Sequence, residues 1–170
     1  MTKDQKAVAI GAASGVATMI LLLGLLYHAM PAPDGAGNVA NRIAYALKWN
    51  ALAVLPLFAM LVSVGNARFM SEAIDPTLGK ENATMEINGR VAENTLQQFV
   101  LFASGTLALA AAMEGDSVRI VGAAAIVFFA MRIAFWIGYR IKPVYRAFGF
   151  SSCAYLNLGL LASALWLAAT

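Results

Sequence analysis

The sequence has few of the side chains from which most metal sites and disulfide-stabilised folds are built. It contains one cysteine, Cys153, and one histidine, His28. A single cysteine excludes an intramolecular disulfide and a thiolate metal cluster, and one added histidine does not complete the ligand set of a zinc site. The sequence therefore predicts no metal centre.

Charged residues are also scarce, since they make up 12% of the 170 residues. A soluble domain carries about 25% charged residues. Basic residues exceed acidic ones and give a net charge of +3, but they are scattered along the chain rather than clustered. This distribution does not predict a nucleic-acid-binding face.

Long hydrophobic runs dominate the chain instead, with 61% hydrophobic residues and a mean hydropathy of +0.71. Runs of about 20 apolar residues match the thickness of a bilayer and are too long for barrel strands. We predict an all-α integral membrane helical bundle of five spans, at about residues 7–30, 41–67, 88–113, 118–139 and 151–169. A cleaved signal peptide is an alternative for the first run, but that run lacks a small-residue cleavage pattern, so a retained span is favoured.

Two sequence features predict details of the helices. Pro56 lies inside the second run and is expected to kink it, because proline has no N–H for the helical ladder. Gly11, Ala12 and Gly15 place small residues on one side of the first run, where they would allow close helix packing.

The beginning of the third run carries an unusual set of polar side chains. They are Arg90, Glu93, Asn94, Gln97 and Gln98. At helical spacing, positions 90, 94, 97 and 98 are expected to share a face, with Glu93 on its flank. Polar groups at this depth are costly in lipid, so the face should look into a bundle or a wet cavity. Interhelical hydrogen bonds, and an ion pair between Arg90 and Glu93, are the structural alternatives to a ligand site.

The distribution of basic residues predicts the orientation of the spans. Eight lie on the side of the N-terminus and three on the other, where Arg42, Lys48 and Arg119 are found. By the positive-inside rule the first side is cytoplasmic, with the N-terminus inside and the C-terminus outside. In a bacterium the membrane would be the inner, or plasma, membrane. Arg68, the polar set of the third run, Tyr139 and Arg146 would then all lie at the cytosolic face.

The order and spacing of these residues resemble the MAPEG family, which contains the microsomal glutathione transferases and leukotriene-C synthase. The resemblance rests on Arg90-xxx-Asn94-xx-Gln97-x-Phe99-xx-Phe102, then Arg132-xx-Phe135-xx-Gly138-Tyr139, then Arg146. Each motif is loose, but their order and spacing are fairly specific. The resemblance covers residues 43–170 as a four-helix transmembrane domain, and it leaves residues 1–42 as an additional N-terminal helix and loop.

The resemblance implies a homotrimer that binds glutathione as co-substrate between subunits, near the cytosolic face, with a lipophilic second substrate reaching it from the bilayer. It assigns glutathione contacts to Arg68, Arg90, Asn94 and Tyr139, and stabilisation of the glutathione thiolate to Arg146. The family glutamate that takes the glutathione ammonium is replaced by Gln97. Glu93, one turn earlier, is its candidate substitute.

Two functions follow from different classes. The first is a glutathione-dependent membrane transferase or peroxidase acting on lipophilic substrates. The second is a non-enzymatic protein of the same fold that serves as an oligomeric or accessory subunit of a membrane complex. The replacement at Gln97, the phenylalanine at position 135 where relatives carry tyrosine, and the extra first helix favour the second function.

Overall fold

The computed structural model describes residues 1–170, the side chain of Pro76 excepted, and within them the chain is helical without strands. The long helices are α1 (Lys3–Ala29), α2 (Val39–Ala53), α3 (Leu55–Phe69), α4 (Ala83–Ala112), α5 (Arg119–Ile141) and α6 (Ala147–Ala169). Over this described part, five segments are long and apolar enough to cross a membrane, because α2 and α3 together form one of them. The predicted all-α bundle of five spans is confirmed.

The second span is broken where the sequence predicted a kink. Helix α2 ends at Ala53, and α3 begins at Leu55 with Pro56 in its first turn. The N–H of Val54 still bonds to the carbonyl of Asn50, and the N–H of Phe58 bonds to that of Val54. The two helices therefore continue each other across a break that the missing N–H of Pro56 explains.

The core of the bundle lies between α4, α5 and α6, with α2 and α3 packed beside α4 and α5. Phe102 of α4 stacks on Phe128 of α5, with 4.4 Å between ring centroids, and Leu156 of α6 belongs to the same buried cluster. Helix α5 is the most buried of the five spans. It is therefore the central element against which the others are arranged.

Helix α1 lies on the outside of this core and packs on α6 and α5. Only Gly15 and Met19 of α1 are buried. The helix begins with a capping box, in which the Thr2 hydroxyl accepts from the Gln5 N–H and the Gln5 side chain accepts from the Thr2 N–H. One side of α1 is thus in contact with the bundle, and most of its surface faces outward.

Candidate functional site

A cavity of about 560 Å³ lies at the end of the bundle where α1, α4 and α6 begin and where α3 and α5 end. Its polar lining residues are Arg90, Asn94, Tyr139, Arg146 and Ser151. Its apolar lining residues are Val8, Phe135, Pro143, Val144, Ala147 and Phe150. The volume lies within the range of small-molecule sites. The cavity is therefore amphiphilic, with two guanidinium groups and an apolar wall.

Arg146 and Tyr139 form the first polar pair of the cavity. The Nη1 of Arg146 donates to the hydroxyl oxygen of Tyr139 at 3.0 Å, and the guanidinium carbon lies 5.0 Å from the centre of the tyrosine ring. Their proximity depends on Gly138, because a Cβ there would lie 2.8 Å from the carbonyl oxygen of Tyr145. The absence of a side chain at Gly138 lets the turn of residues 143–146 fold back onto the end of α5.

Asn94 is held by Arg132, which is buried in the bundle. The Nη2 of Arg132 donates to Oδ1 of Asn94 at 3.0 Å and to the hydroxyl of Thr95 at 2.7 Å, and its guanidinium carbon lies 4.0 Å from the centre of the Phe135 ring. Since Asn94 uses its oxygen for Arg132, its NH₂ group is the side-chain donor left for the cavity. Arg132 is therefore a cross-link between α5 and α4 that is made through neutral partners.

Arg90 reaches the cavity as an exposed side chain. The expected ion pair between Arg90 and Glu93 is not formed, because the ion pairs of the described side chains join Arg68 to Glu81, Lys80 to Glu72 and Lys142 to Asp4. The guanidinium of Arg90 is therefore available to an anion in the cavity.

The expectation that positions 90, 94, 97 and 98 share one face is wrong for Gln97 and Gln98, which point in different directions. Gln98 is buried and accepts a hydrogen bond from Nδ2 of Asn157 at 2.9 Å, whereas Gln97 is exposed. Successive helical residues are about 100° apart, so adjacent glutamines cannot both face α6. Glu93 and Gln97, one turn apart, both lie on the outward face of α4 and do not line the cavity.

Arg68 lies in the last turn of α3 and pairs with Glu81 outside the cavity. Its Nε donates to Glu81 at 2.8 Å, and its Nη2 contacts the same carboxylate oxygen. Arg68 is not among the cavity-lining residues. The structure thus places Arg90, Asn94, Tyr139 and Arg146 in the cavity lining. Arg68, Glu93 and Gln97 lie outside it.

Sequence reasoning missed several polar cross-links between helices, among them those of Asn157 and Asn88. Asn157, a lone amide within the most apolar stretch of α6, also donates to the carbonyl of Gln98 at 3.0 Å. Asn88 accepts from Nε1 of Trp136 at 3.0 Å and donates to Ser63. For Asn157 the available signal was an isolated amide inside an apolar run, because such groups in membranes are usually paired. Asn88, between Glu86 and Arg90, gave no such signal.

Comparison with known proteins gives one match. The model of the MAPEG family matches residues 46–166, which run from α2 into α6 and leave α1 outside. No curated protein and no solved structure matches the chain. The matched range covers more than half of the chain and contains Arg90, Asn94, Tyr139 and Arg146. This integral membrane protein therefore belongs to the MAPEG family.

Proposed function

We propose that the protein is a glutathione-dependent membrane enzyme that conjugates glutathione, through its sulfur, to a lipophilic electrophile. The observation that carries this proposal is the amphiphilic cavity, in which Arg90, Asn94, Tyr139 and Arg146 meet an apolar wall. Guanidinium groups bind carboxylates through paired hydrogen bonds. Phe135, Val144 and Phe150 offer the neighbouring surface to a lipophilic molecule.

The cavity offers partners for the carboxylates and the thiol of glutathione but none for its ammonium group. Arg90 forms no ion pair with the described side chains and can donate to a carboxylate, and the NH₂ group of Asn94 adds a neutral donor. No described lining residue is acidic, so nothing in this wall balances the glutathione ammonium. That charge is met by the subunit next to this one or by solvent.

A homotrimer accounts for the outward face of α4. Glu93 and Gln97 are exposed within a membrane-spanning helix, beside the exposed apolar residues Leu96 and Val100. Polar groups at membrane depth almost always face protein or water, because exposure to lipid is costly. Contact with a second copy removes these side chains from lipid and brings Glu93 towards a neighbouring cavity.

Arg146 and Tyr139 supply the chemistry. An ordinary thiol has a pKa of about 8.5 and is mostly protonated at neutral pH, and a nearby guanidinium lowers that pKa by favouring the thiolate. The Tyr139 hydroxyl already accepts from Arg146, so its own hydrogen points to another acceptor, such as a sulfur in the cavity. Together the two side chains hold the sulfur as a nucleophile. It bonds to the electrophilic carbon. In a substitution the leaving group departs with its bonding pair, and in an addition to an activated double bond the π electrons shift towards the carbonyl and a proton from water completes the product.

The predicted orientation suits this reaction. With the N-terminus cytoplasmic, the cavity opens to the compartment that holds glutathione, and its wall includes the exposed apolar residues Val8 and Phe150. A lipophilic substrate then reaches the sulfur from the membrane, and the conjugate, which carries the charged peptide, leaves to water.

A non-enzymatic accessory role is the second candidate, and one observation favours it. The cavity lining of the described residues contains no carboxylate for the glutathione ammonium, because Gln97 and Glu93 both lie elsewhere. Equilibrium dialysis of the purified protein against radiolabelled glutathione separates the two functions. The enzyme binds glutathione saturably at millimolar concentration or below, and Gln97→Glu binds it more tightly because the new carboxylate reaches the cavity of a neighbouring subunit. Absence of saturable binding in both proteins leaves the accessory role.

A further inference from the structure

Helix α1 lies outside the residues that match the family, yet it contributes to the cavity wall. Val8 of α1 is a lining residue, although the other lining residues belong to α4, α5, α6 and the turn before α6. Helix α1 is thus part of the site's geometry and not only a membrane span beside it.

The position of α1 is fixed by close contact with α6. A Cβ on Gly15 would overlap the carbonyl oxygen of Phe148 and lie 2.9 Å from the Ser152 hydroxyl. A Cβ on Gly11 would lie 3.4 Å from Cβ of Ala147. Glycines four residues apart let two membrane helices approach until their backbones touch. The crossing of α1 over the first turns of α6 is therefore set within a narrow range.

A second contact holds the end of α1. Nζ of Lys142 donates to the Asp4 carboxylate at 3.2 Å, directly before the turn that carries Arg146. Val8 stands between this ion pair and the contact at Gly11. It lies on the same face of α1 as Gly11 and Gly15, because spacings of three and four residues return to one side of a helix.

Val8 lines the cavity together with Ala147, Phe150 and Ser151 of α6 and with Pro143 and Val144 of the preceding turn. The charged groups Arg90 and Arg146 belong to the same cavity but to other elements. An apolar side chain from the added helix thus adds to the apolar lining of the cavity and limits its size.

We infer that α1 is a specificity element of the site and that Val8 limits the length of the lipophilic substrate. This inference rests on the proposed function for its substrate, a lipophilic electrophile with an apolar tail. A larger side chain at position 8 shortens the accepted tail, and a smaller one lengthens it. An α1 that serves only as an anchor leaves tail selectivity unchanged.

The first test uses a homologous series of 4-hydroxy-2-alkenals with tails of increasing length. In each reaction the glutathione sulfur bonds to C3, the double-bond electrons shift towards the carbonyl, and a proton from water completes C2. Val8→Trp lowers kcat/KM about tenfold for the longest tail and less than about twofold for the shortest, and Val8→Ala raises it for the longest. The matched control is Ile10→Trp, on the same helix but 70% exposed and away from the cavity.

A second test needs no enzymatic activity. Ser151→Cys puts a thiol on the cavity wall, and the wild type, with its buried Cys153, gives the background. Labelling of this thiol by N-ethylmaleimide slows at least about fivefold when Val8→Trp is added, since the indole takes up part of the same cavity, and stays unchanged with Ile10→Trp. S-methylglutathione, which has no free thiol, also protects the cysteine if the proposed function is correct.

The outcomes separate the claim that α1 forms part of the cavity wall from the claim that glutathione binds in the cavity. Protection by Val8→Trp without protection by S-methylglutathione keeps α1 as a cavity wall and rejects glutathione as the ligand. Equal labelling of the Val8→Trp and Ile10→Trp proteins overturns the inference, whatever S-methylglutathione does. Equal loss of kcat/KM for short and long tails overturns the assignment of tail length to Val8.

Discussion

Arg132 donates a hydrogen bond from Nη2 to Oδ1 of Asn94, 3.0 Å away and 38 residues earlier in the chain. The same guanidinium donates to Thr95 from Nη2 and from Nε. A buried cation thereby fixes the side-chain amide of a cavity residue without touching the cavity itself. Arg132 is a positioning residue for Asn94.

The first prediction concerns this pair. Arg132→Lys keeps the charge but replaces the planar fork by one ammonium, which cannot serve Asn94 and Thr95 in the same geometry. A hydrogen bond from Asn94 to a glutathione carboxylate contributes about 1.5–3 kcal/mol. Its loss when Asn94 is no longer held should lower glutathione affinity about tenfold. Equilibrium dialysis measures the change. Unaltered affinity at an unaltered Tm would show that Asn94 needs no support from Arg132.

The second prediction concerns stability at the opposite end of the bundle. Buried Arg42 donates from Nε to the carbonyl of Ala110 at 2.9 Å and from Nη1 to that of Ala36 at 2.9 Å. Arg42→Met leaves these buried acceptors unpaired and should lower the free energy of unfolding by about 2–5 kcal/mol. Thermal unfolding in detergent measures it. The control Lys48→Met, exposed on the same helix, should leave the Tm nearly unchanged.

The third prediction concerns assembly. Native mass spectrometry in mild detergent should give a homotrimer. Val100→Trp, on the outward face of α4, should shift the population towards monomer, because the added ring disturbs the packing between copies. Ile20→Trp, at a similarly exposed position on α1, should not. A monomeric wild type would contradict the homotrimer and the contribution of a neighbouring subunit to the site.

The fourth prediction concerns topology. The basic residues predict the N-terminus inside and the C-terminus outside. Two C-terminal fusions test this in a bacterial host: alkaline phosphatase, active only in the periplasm, and green fluorescent protein, fluorescent only in the cytosol. The phosphatase fusion should be active and the fluorescent fusion dark. The reverse pattern would place the cavity on the other side of the membrane.

Much of the fold was predictable from the sequence, because hydrophobic length decides how many helices cross a bilayer. The break near Pro56 was also predictable, since proline has no N–H for the helical ladder. Helix starts were less accurate: α4 begins at Ala83, where the Asn82 side chain caps it by accepting from the Met85 N–H, and not near residue 88. A polar first turn outside the apolar run gave no hydropathy signal.

The site was predictable in part. The predicted orientation and the family resemblance grouped Arg90, Asn94, Tyr139 and Arg146 with Arg68, Glu93 and Gln97, and only the first four line the cavity. The direction of Gln97 and Gln98 was not predictable, because several polar residues in two turns leave the helical phase undefined. The contact of Arg68 with Glu81 depends on how the connection between α3 and α4 folds back, which helical periodicity does not describe.

The fifth prediction is the most direct test of the central claim, that Arg146 holds a glutathione thiolate in this cavity. The measurement is the ultraviolet thiolate absorbance of glutathione titrated into the purified protein at neutral pH, with Arg146→Ala and the control Arg140→Ala in parallel. Arg140 is exposed in the same basic segment and does not line the cavity. We expect a saturable thiolate signal in the wild type and in Arg140→Ala, and its loss in Arg146→Ala with glutathione still bound through Arg90. No thiolate signal in the wild type, or an equal signal in Arg146→Ala, would contradict the account.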